Sequence, residues 1–299
     1  MKGRSVLGLA GLPFADLQGL LDVAERFARD GIPAARPGRV VCGLFFNPSL
    51  RTRMSLELAS VHLGAHCVVH DVGSAVWRIE TRDGAVMDGD AQEHVRDAVG
   101  NFLSDAGAEH ALGDFADFAH PYAHNRTEPV LGAIARAASV PVINLESALE
   151  HPMQGLADLL TLRQNLEGPP EERTIALTWA YHPKPLPMAV PHTALLGFCR
   201  AGYRVRLVHP EGFDLDPDVM AAARQAAGDR LQEFRDMDEG LRGAHVVYAK
   251  SWGAAGEYGP DADRSGRAAL KSWIVDRRRQ ALGAPAALLH CLPVRRNGV

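Results

Sequence analysis

The sequence predicts an α/β protein built as two doubly wound parallel-sheet domains with a cleft between them. Two observations carry this reading. Strand-like apolar runs alternate with helical patterns along nearly all of the 299 residues, the order that gives parallel sheets covered by helices. A helical stretch at 152–165, followed by Gly168-Pro169-Pro170, reads as a link between two such halves, so the domains are expected at 1–148 and 149–299. Ligands of open α/β sheets bind at the carboxyl edge of the strands, here in the cleft.

In the first half, helices are expected at 16–29, 52–63, 93–103 and 128–138, and strands at 40–46, 66–70 and 140–144. The run from Val40 to Phe46 is strand-like and stops at Asn47-Pro48. Leu56, Ala59 and Leu63 then recur at helical spacing. In the second half, strands are expected at 174–179, 204–208, 246–249 and 287–290, the last of them buried. Helices are expected at 189–201, 217–227 and 238–242. There is no internal repeat and no low-complexity segment.

Composition is that of a globular protein, with 46% hydrophobic and 23% charged residues, and such a length buries a full core. A net charge of −4 without a basic tail argues against nucleic acid as a partner. Cys42, Cys67, Cys199 and Cys291 are scattered, with no CxxC, so neither a disulfide framework nor a zinc site is expected. No apolar span suits a membrane and no leader is evident, so the expected location is the cytoplasm. No GxGxxG follows a strand candidate, which argues against a nucleotide-dependent reductase. No cofactor and no metal are expected.

The chemistry concentrates where the first strand meets its helix. Ser49 sits at the N-cap position, and free N–H groups at a helix start favour an anion. Arg51, Thr52 and Arg53 add two guanidinium groups and a hydroxyl in the first turn. This is equipment for a phosphate, although the spacing alone fits a capped helix with solvated arginines equally well. His151 and Gln154, three apart on a helix, share one face. Glu146, Lys250 and Cys291 each follow a strand candidate. Arg295 and Arg296 come after the last one, as carboxylate or phosphate holders or as a solvated strand end. Trp77 lies in an exposed loop at 73–78.

Ser49-Leu50-Arg51-Thr52-Arg53 resembles the Ser-x-Arg-Thr-Arg phosphate loop of the aspartate/ornithine carbamoyltransferase superfamily. Four further segments match in the same order: Asp88-Gly89-Asp90, His151-Pro152-Met153-Gln154, Lys250-Ser251-Trp252-Gly253 and His290-Cys291-Leu292-Pro293. The segment 179–187, with His182-Pro183-Lys184-Pro185-Leu186, is similar to a loop of the N-acylornithine branch, in which the chain is threaded as a trefoil knot. The resemblance implies transfer of a carbamoyl group from carbamoyl phosphate to the δ-amine of an acylated ornithine, in arginine biosynthesis, by a homotrimer with shared active sites. It implies carbamoyl-phosphate contacts from Ser49, Leu50, Arg51, Thr52, Trp77 (reaching into a neighbouring subunit), His110, His151, Gln154, Cys291 and Leu292. Arg51, Thr52, His151, Gln154 and Cys291 are the expected catalytic set. Gln92, Glu146, Lys250, Leu292 and Arg295 are expected to bind the amino-acid substrate. Gln92 stands where acetyl-type members carry Glu and succinyl-type members a small residue or Pro; its bulk points to the acetyl substrate.

Three positions depart from the pattern. His110 is the best match, within 106–111, to a phosphate-gripping arginine. Pro187 replaces a substrate-binding Asn. The chain ends at Val299, where the family continues for about one more helix. These leave N-succinylornithine, another amine, or a catalytically silent relative as alternatives.

Overall fold

The computed structural model describes residues 3–33, 36–101, 103, 108–114, 120–283 and 286–294. They fall into two units, Met1–Asp117 with His124–Met153, and Phe118–Ala123 with Gln154–Val299. Each holds one main parallel sheet.

The first unit contains β1 (Val40–Phe45), β2 (His66–Asp71), β3 (Arg78–Glu80), β4 (Ala91–His94), β5 (Ala108–Asp114) and β6 (Val142–Glu146). Its main sheet runs β2-β1-β5-β6, with β3 and β4 in a separate parallel pair. The helix Leu50–Leu63 joins β1 to β2, whose register runs from Val40↔His66 to Phe45↔Asp71. β2 lies on one flank of β1 and β5 on the other, so the order reverses at β1 and the loop leaving it stands at a switch point. Gly43 lets the helix close on this strand, because a Cβ there would meet Leu56 Cδ2 at 2.9 Å. Cys42, Leu44, Val99, Ala111, Ile134 and Val142 belong to one buried cluster.

The structure corrects three expectations here. The last strand of this unit is Val142–Glu146, two residues further on than expected. The stretch 93–103 is not one α-helix: β4 runs to His94, and Arg96–Asn101 winds as a π-helix. Val95, Val99 and Leu103 do form a buried face, so the helical spacing was real but the turn is wider. β5 was not foreseen, because Ala-Glu-His-Ala-Leu-Gly-Asp has little strand propensity; pairing on both sides holds it in the sheet.

The second unit contains β7 (Thr174–Trp179), β8 (Arg204–Val208), β9 (Leu231–Phe234), β10 (Val246–Lys250) and β11 (Ala287–Leu289), ordered β11-β10-β7-β8-β9. Every residue of β7 is buried, as in a parallel strand covered on both faces. The helix Ala189–Arg200 is buried from Ala189 to Cys199. The helices Pro217–Ala227 and Met237–Leu241 follow β8 and β9. β11 is a correction: it is not buried, with Leu288 49% exposed, because it lies at the outer end of the strand order.

Here the strand order reverses between β7 and β10, so the segment 180–187 and Lys250 sit at the second switch point. That segment is pinned from inside. Arg267 donates to the His182 carbonyl at 3.0 Å and to the Trp252 carbonyl at 2.9 Å. Tyr258 Oη donates to the Leu186 carbonyl at 2.6 Å, and Gly253 N to the same oxygen at 2.9 Å. The Arg267 guanidinium also pairs with Glu257, both buried, and lies 5.5 Å and 5.3 Å from the ring centroids of Trp179 and Phe213. No described helix is long and apolar enough to cross a membrane.

Candidate active site

The loop after β1 turns at Phe46–Ser49 into the helix Leu50–Leu63. Ser49 has the extended backbone of an N-cap (φ −141°, ψ 111°), but its side chain makes no cap hydrogen bond. Unpaired first-turn N–H groups at a helix start are groups an anion favours. Arg51 is exposed beside them. Arg53 is committed elsewhere, donating to Asp71 Oδ2 at 2.5 Å and Glu57 Oε1 at 3.2 Å. Of the two first-turn guanidinium groups, Arg53 thus ties the helix to the end of β2.

Glu146 ends β6, and His151 Nε2 lies 3.6 Å from its Oε2. The intervening turn is braced by two carboxylates that sequence reasoning missed. Glu128, in the left-handed region at φ 50°, accepts from Leu149 N at 2.6 Å and Ser147 Oγ at 2.8 Å. Burial pushes its carboxyl above the usual range, against the pull of those donors. Glu150 accepts from Leu9 N at 2.7 Å. A non-glycine residue at positive φ persists where its surroundings over-determine it, and these bonds do so around the Glu146–His151 pair.

In the second unit, Gln154 lies in the first turn of the helix Pro152–Asn165 and donates through Nε2 to Asp158 Oδ1 at 2.8 Å. Tyr248, on β10, donates to the other oxygen of Asp158 at 2.9 Å and is hydrogen-bonded to Cys291. Gln154 and Cys291 are thus linked through Asp158 and Tyr248. Asp158 is one helical turn from Gln154, and that spacing was the one signal in the sequence that pointed to it. Burial pushes the Asp158 carboxyl up to about 7, while hydrogen bonds from Gln154 and Tyr248 pull it back. Lys250 ends β10 buried, its Nζ donating to the Ser251 carbonyl at 2.9 Å. Leu292 is exposed next to the buried Cys291. Arg295 lies outside the described residues.

Trp77 and Gln92 come together elsewhere. Both line an open pocket of about 950 Å³ in the first unit, with His70, Arg78, Asp90 and Glu93. Ser49, Leu50, Arg51 and Thr52 are not among its described lining residues. Trp77 is 65% exposed. His110 is also apart from the loop. It pairs with Val41 in β5, whereas the loop opens beyond Phe45, four residues on. At ~3.3 Å per strand residue that is about 13 Å. The β5 residue level with Phe45 is Asp114. The register of the sheet, which no local pattern announces, sets His110 level with Val41.

Among the described residues one cluster has metal-ligand types: ligand atoms of His209, Asp214 and Glu233 lie within 4.8 Å of one another. Arg235 already stands among them, 2.6 Å from His209 Nδ1 and 2.7 Å from Asp214 Oδ1. A fixed guanidinium occupies the charge a cation would need to neutralise, so this is an arginine-centred ion cluster.

The first unit thus holds a helix start at a switch point of its sheet and the Glu146–His151 pair, and the second holds Gln154, Asp158, Tyr248 and Cys291 in one linked group. Residues 4–164 match the carbamoyl-phosphate-binding domain of aspartate/ornithine carbamoyltransferases, and residues 188–298 match the aspartate/ornithine-binding domain. The chain is similar to N-acetylornithine carbamoyltransferase of Xanthomonas campestris, 39% identical over 95% of this chain and 84% of that protein. N-succinylornithine carbamoyltransferase of Bacteroides fragilis is 33% identical over 94% and 85%. Acetylornithine transcarbamylase, solved in complex with acetylcitrulline, superposes with a TM-score of 0.92 at 36% identity, over 100% of this chain and 90% of that one. The chain belongs to the aspartate/ornithine carbamoyltransferase family.

Proposed function

We propose that this protein transfers the carbamoyl group of carbamoyl phosphate to the δ-amine of N-acetyl-L-ornithine, giving N-acetylcitrulline and phosphate in cytoplasmic arginine biosynthesis. The observation that carries the reading is the uncapped helix start at Ser49–Thr52, at the switch point of a chain similar to N-acetylornithine carbamoyltransferases. Residues 1–148 form the carbamoyl-phosphate-binding domain and residues 149–299 the acylornithine-binding domain.

In this reading the phosphate rests on Ser49, Leu50, Arg51 and Thr52. His151 polarises the carbonyl oxygen, and Gln154 accepts a hydrogen bond from the carbamoyl nitrogen. Cys291 and the Leu292 carbonyl meet the attacking amine, and Glu146 and Lys250 hold the amino-acid portion. The amine nitrogen bonds to the carbonyl carbon, the carbon–oxygen bond to phosphate breaks, and the amine loses a proton. Holding two substrates in line and stabilising the developing oxyanion supply the rate, with no covalent enzyme intermediate.

The assembly in this reading is a homotrimer. Leu50, Met54, Leu58 and Val61, each more than half exposed, line one face of the helix Leu50–Leu63. A stripe of that kind needs a cover, and a second copy supplies it. Trp77 and Gln92, gathered away from the loop of their own chain, then serve a neighbour. The pinned segment 180–187 is the threaded loop of the knot.

The test is a ureido colour assay with carbamoyl phosphate and, in parallel, ornithine, N-acetylornithine and N-succinylornithine. Turnover of the acetyl substrate alone is the expected result; the succinyl substrate alone would move the assignment to that acceptor. A second reading, a silent relative, draws on β5, which carries no arginine or lysine between Ala108 and Asp114; a folded protein without turnover on any of the three would favour it.

A further inference from the structure

We propose that Asp158 is the positioning residue that fixes the orientation of the Gln154 amide, and that Tyr248 ties the same carboxylate to Cys291. The proposal rests on the carbamoyl-transfer reading above.

The helix Pro152–Asn165 sets Gln154 and Asp158 one turn apart on one face. Asp158 is 5% exposed and Tyr248 fully buried, so their hydrogen bonds form without competing water and are costly to leave unmade. The bond of 2.8 Å to Asp158 Oδ1 comes from the Gln154 NH2, which turns the amide oxygen the other way. A carbamoyl NH2 requires that oxygen; a glutamine presented the other way round would set donor against donor.

The second half of the link runs through Tyr248. Tyr248 has one hydroxyl proton, and it goes to Asp158 Oδ2 at 2.9 Å. The Tyr248 hydroxyl is also hydrogen-bonded to Cys291. Tyr248 and Gln154 thus donate to the two oxygens of Asp158 from opposite sides, and Tyr248 continues the link to Cys291. One buried carboxylate thereby sets the amide expected at the carbamoyl nitrogen, and Tyr248 joins it to the thiol expected at the attacking amine. Burial holds the Asp158 carboxyl up at about 7, while the bonds from Gln154 and Tyr248 pull it back.

The experiment uses the full-length chain labelled with 15N-glutamine, with the Gln154 side-chain signals identified by their loss in Gln154→Ala. Asp158→Asn keeps the size but can face Gln154 with either end, so it removes the constraint. The expected result is that the Gln154 amide signals shift and broaden in Asp158→Asn while other glutamines stay in place. Kinetically, Asp158→Asn should lower kcat/KM for carbamoyl phosphate about 10- to 100-fold, as for a displaced orienting partner. It should do little more in a Gln154→Ala background, since a residue acting through another is non-additive with it. Tyr248→Phe, which keeps the ring, should show a smaller change in the same direction. Unmoved Gln154 signals, or losses that add in the double variant, would overturn the proposal. A parent protein without turnover overturns the reading of its function instead, and the amide signals still decide the role of Asp158.

Discussion

Arg53 donates to Asp71 across 2.5 Å, joining the first turn of the helix Leu50–Leu63 to the last residue of β2. Two arginines one residue apart thereby acquire different work. Arg53 fixes where the helix begins, and Arg51 presents its charge at that beginning.

Arg51→Ala should therefore cost about 3–4 kcal/mol in transition-state stabilisation, the scale of one lost donor to developing charge, with the melting temperature unchanged. Arg53→Ala should lower the melting temperature in low salt, and high salt should narrow the difference, because the pair is partly solvated. Steady-state kinetics and thermal melts on both variants separate the two roles. Near-normal turnover by Arg51→Ala would sink the assignment of the loop.

The Asp158 carboxyl should leave a signature in stability. Its folded value is raised to about 7 from an ordinary 3.8. Between those values the folded state holds a proton that the unfolded chain has released. Stability should then fall as pH rises from about 4 to 7, with a slope of up to about 1.4 kcal/mol per pH unit from this group. Denaturant titrations of the parent and of Asp158→Asn at several pH values check it; the variant should lose this contribution to the slope.

Arg267 and Glu257 form a buried pair around which the segment 180–187 is fastened. Removing one charge strands the other, so Glu257→Gln should cost about 3–5 kcal/mol. Arg267→Met together with Glu257→Gln should cost less than the sum of the single changes. Urea unfolding gives the energies, and faster proteolytic cleavage within 180–187 would report the loosened loop.

The exposed stripe on the helix Leu50–Leu63 makes oligomerisation testable without activity. Met54→Glu and Leu58→Glu should turn a trimeric parent into smaller species on size-exclusion chromatography with light scattering. Unchanged mass in both variants would remove this face from the interface.

By itself the sequence determined most of the frame. Apolar runs such as Val40–Phe45 and Thr174–Trp179 and the helical spacing of 152–165 are local patterns, and local patterns survive without tertiary context. The loop at Ser49–Thr52 was legible for the same reason, because a helix start and its arginines are neighbours in the chain. Tertiary structure decided what depends on partners far along the chain. β5 became a strand through pairing with β1 and β6, and that register moved His110 opposite Val41. β11 was left exposed at a sheet edge. Arg53 was drawn to Asp71, and a buried carboxylate at 158 was set between Gln154 and Tyr248. Pairing register and desolvation are properties of the packed chain, since no residue carries either until its neighbours have closed around it.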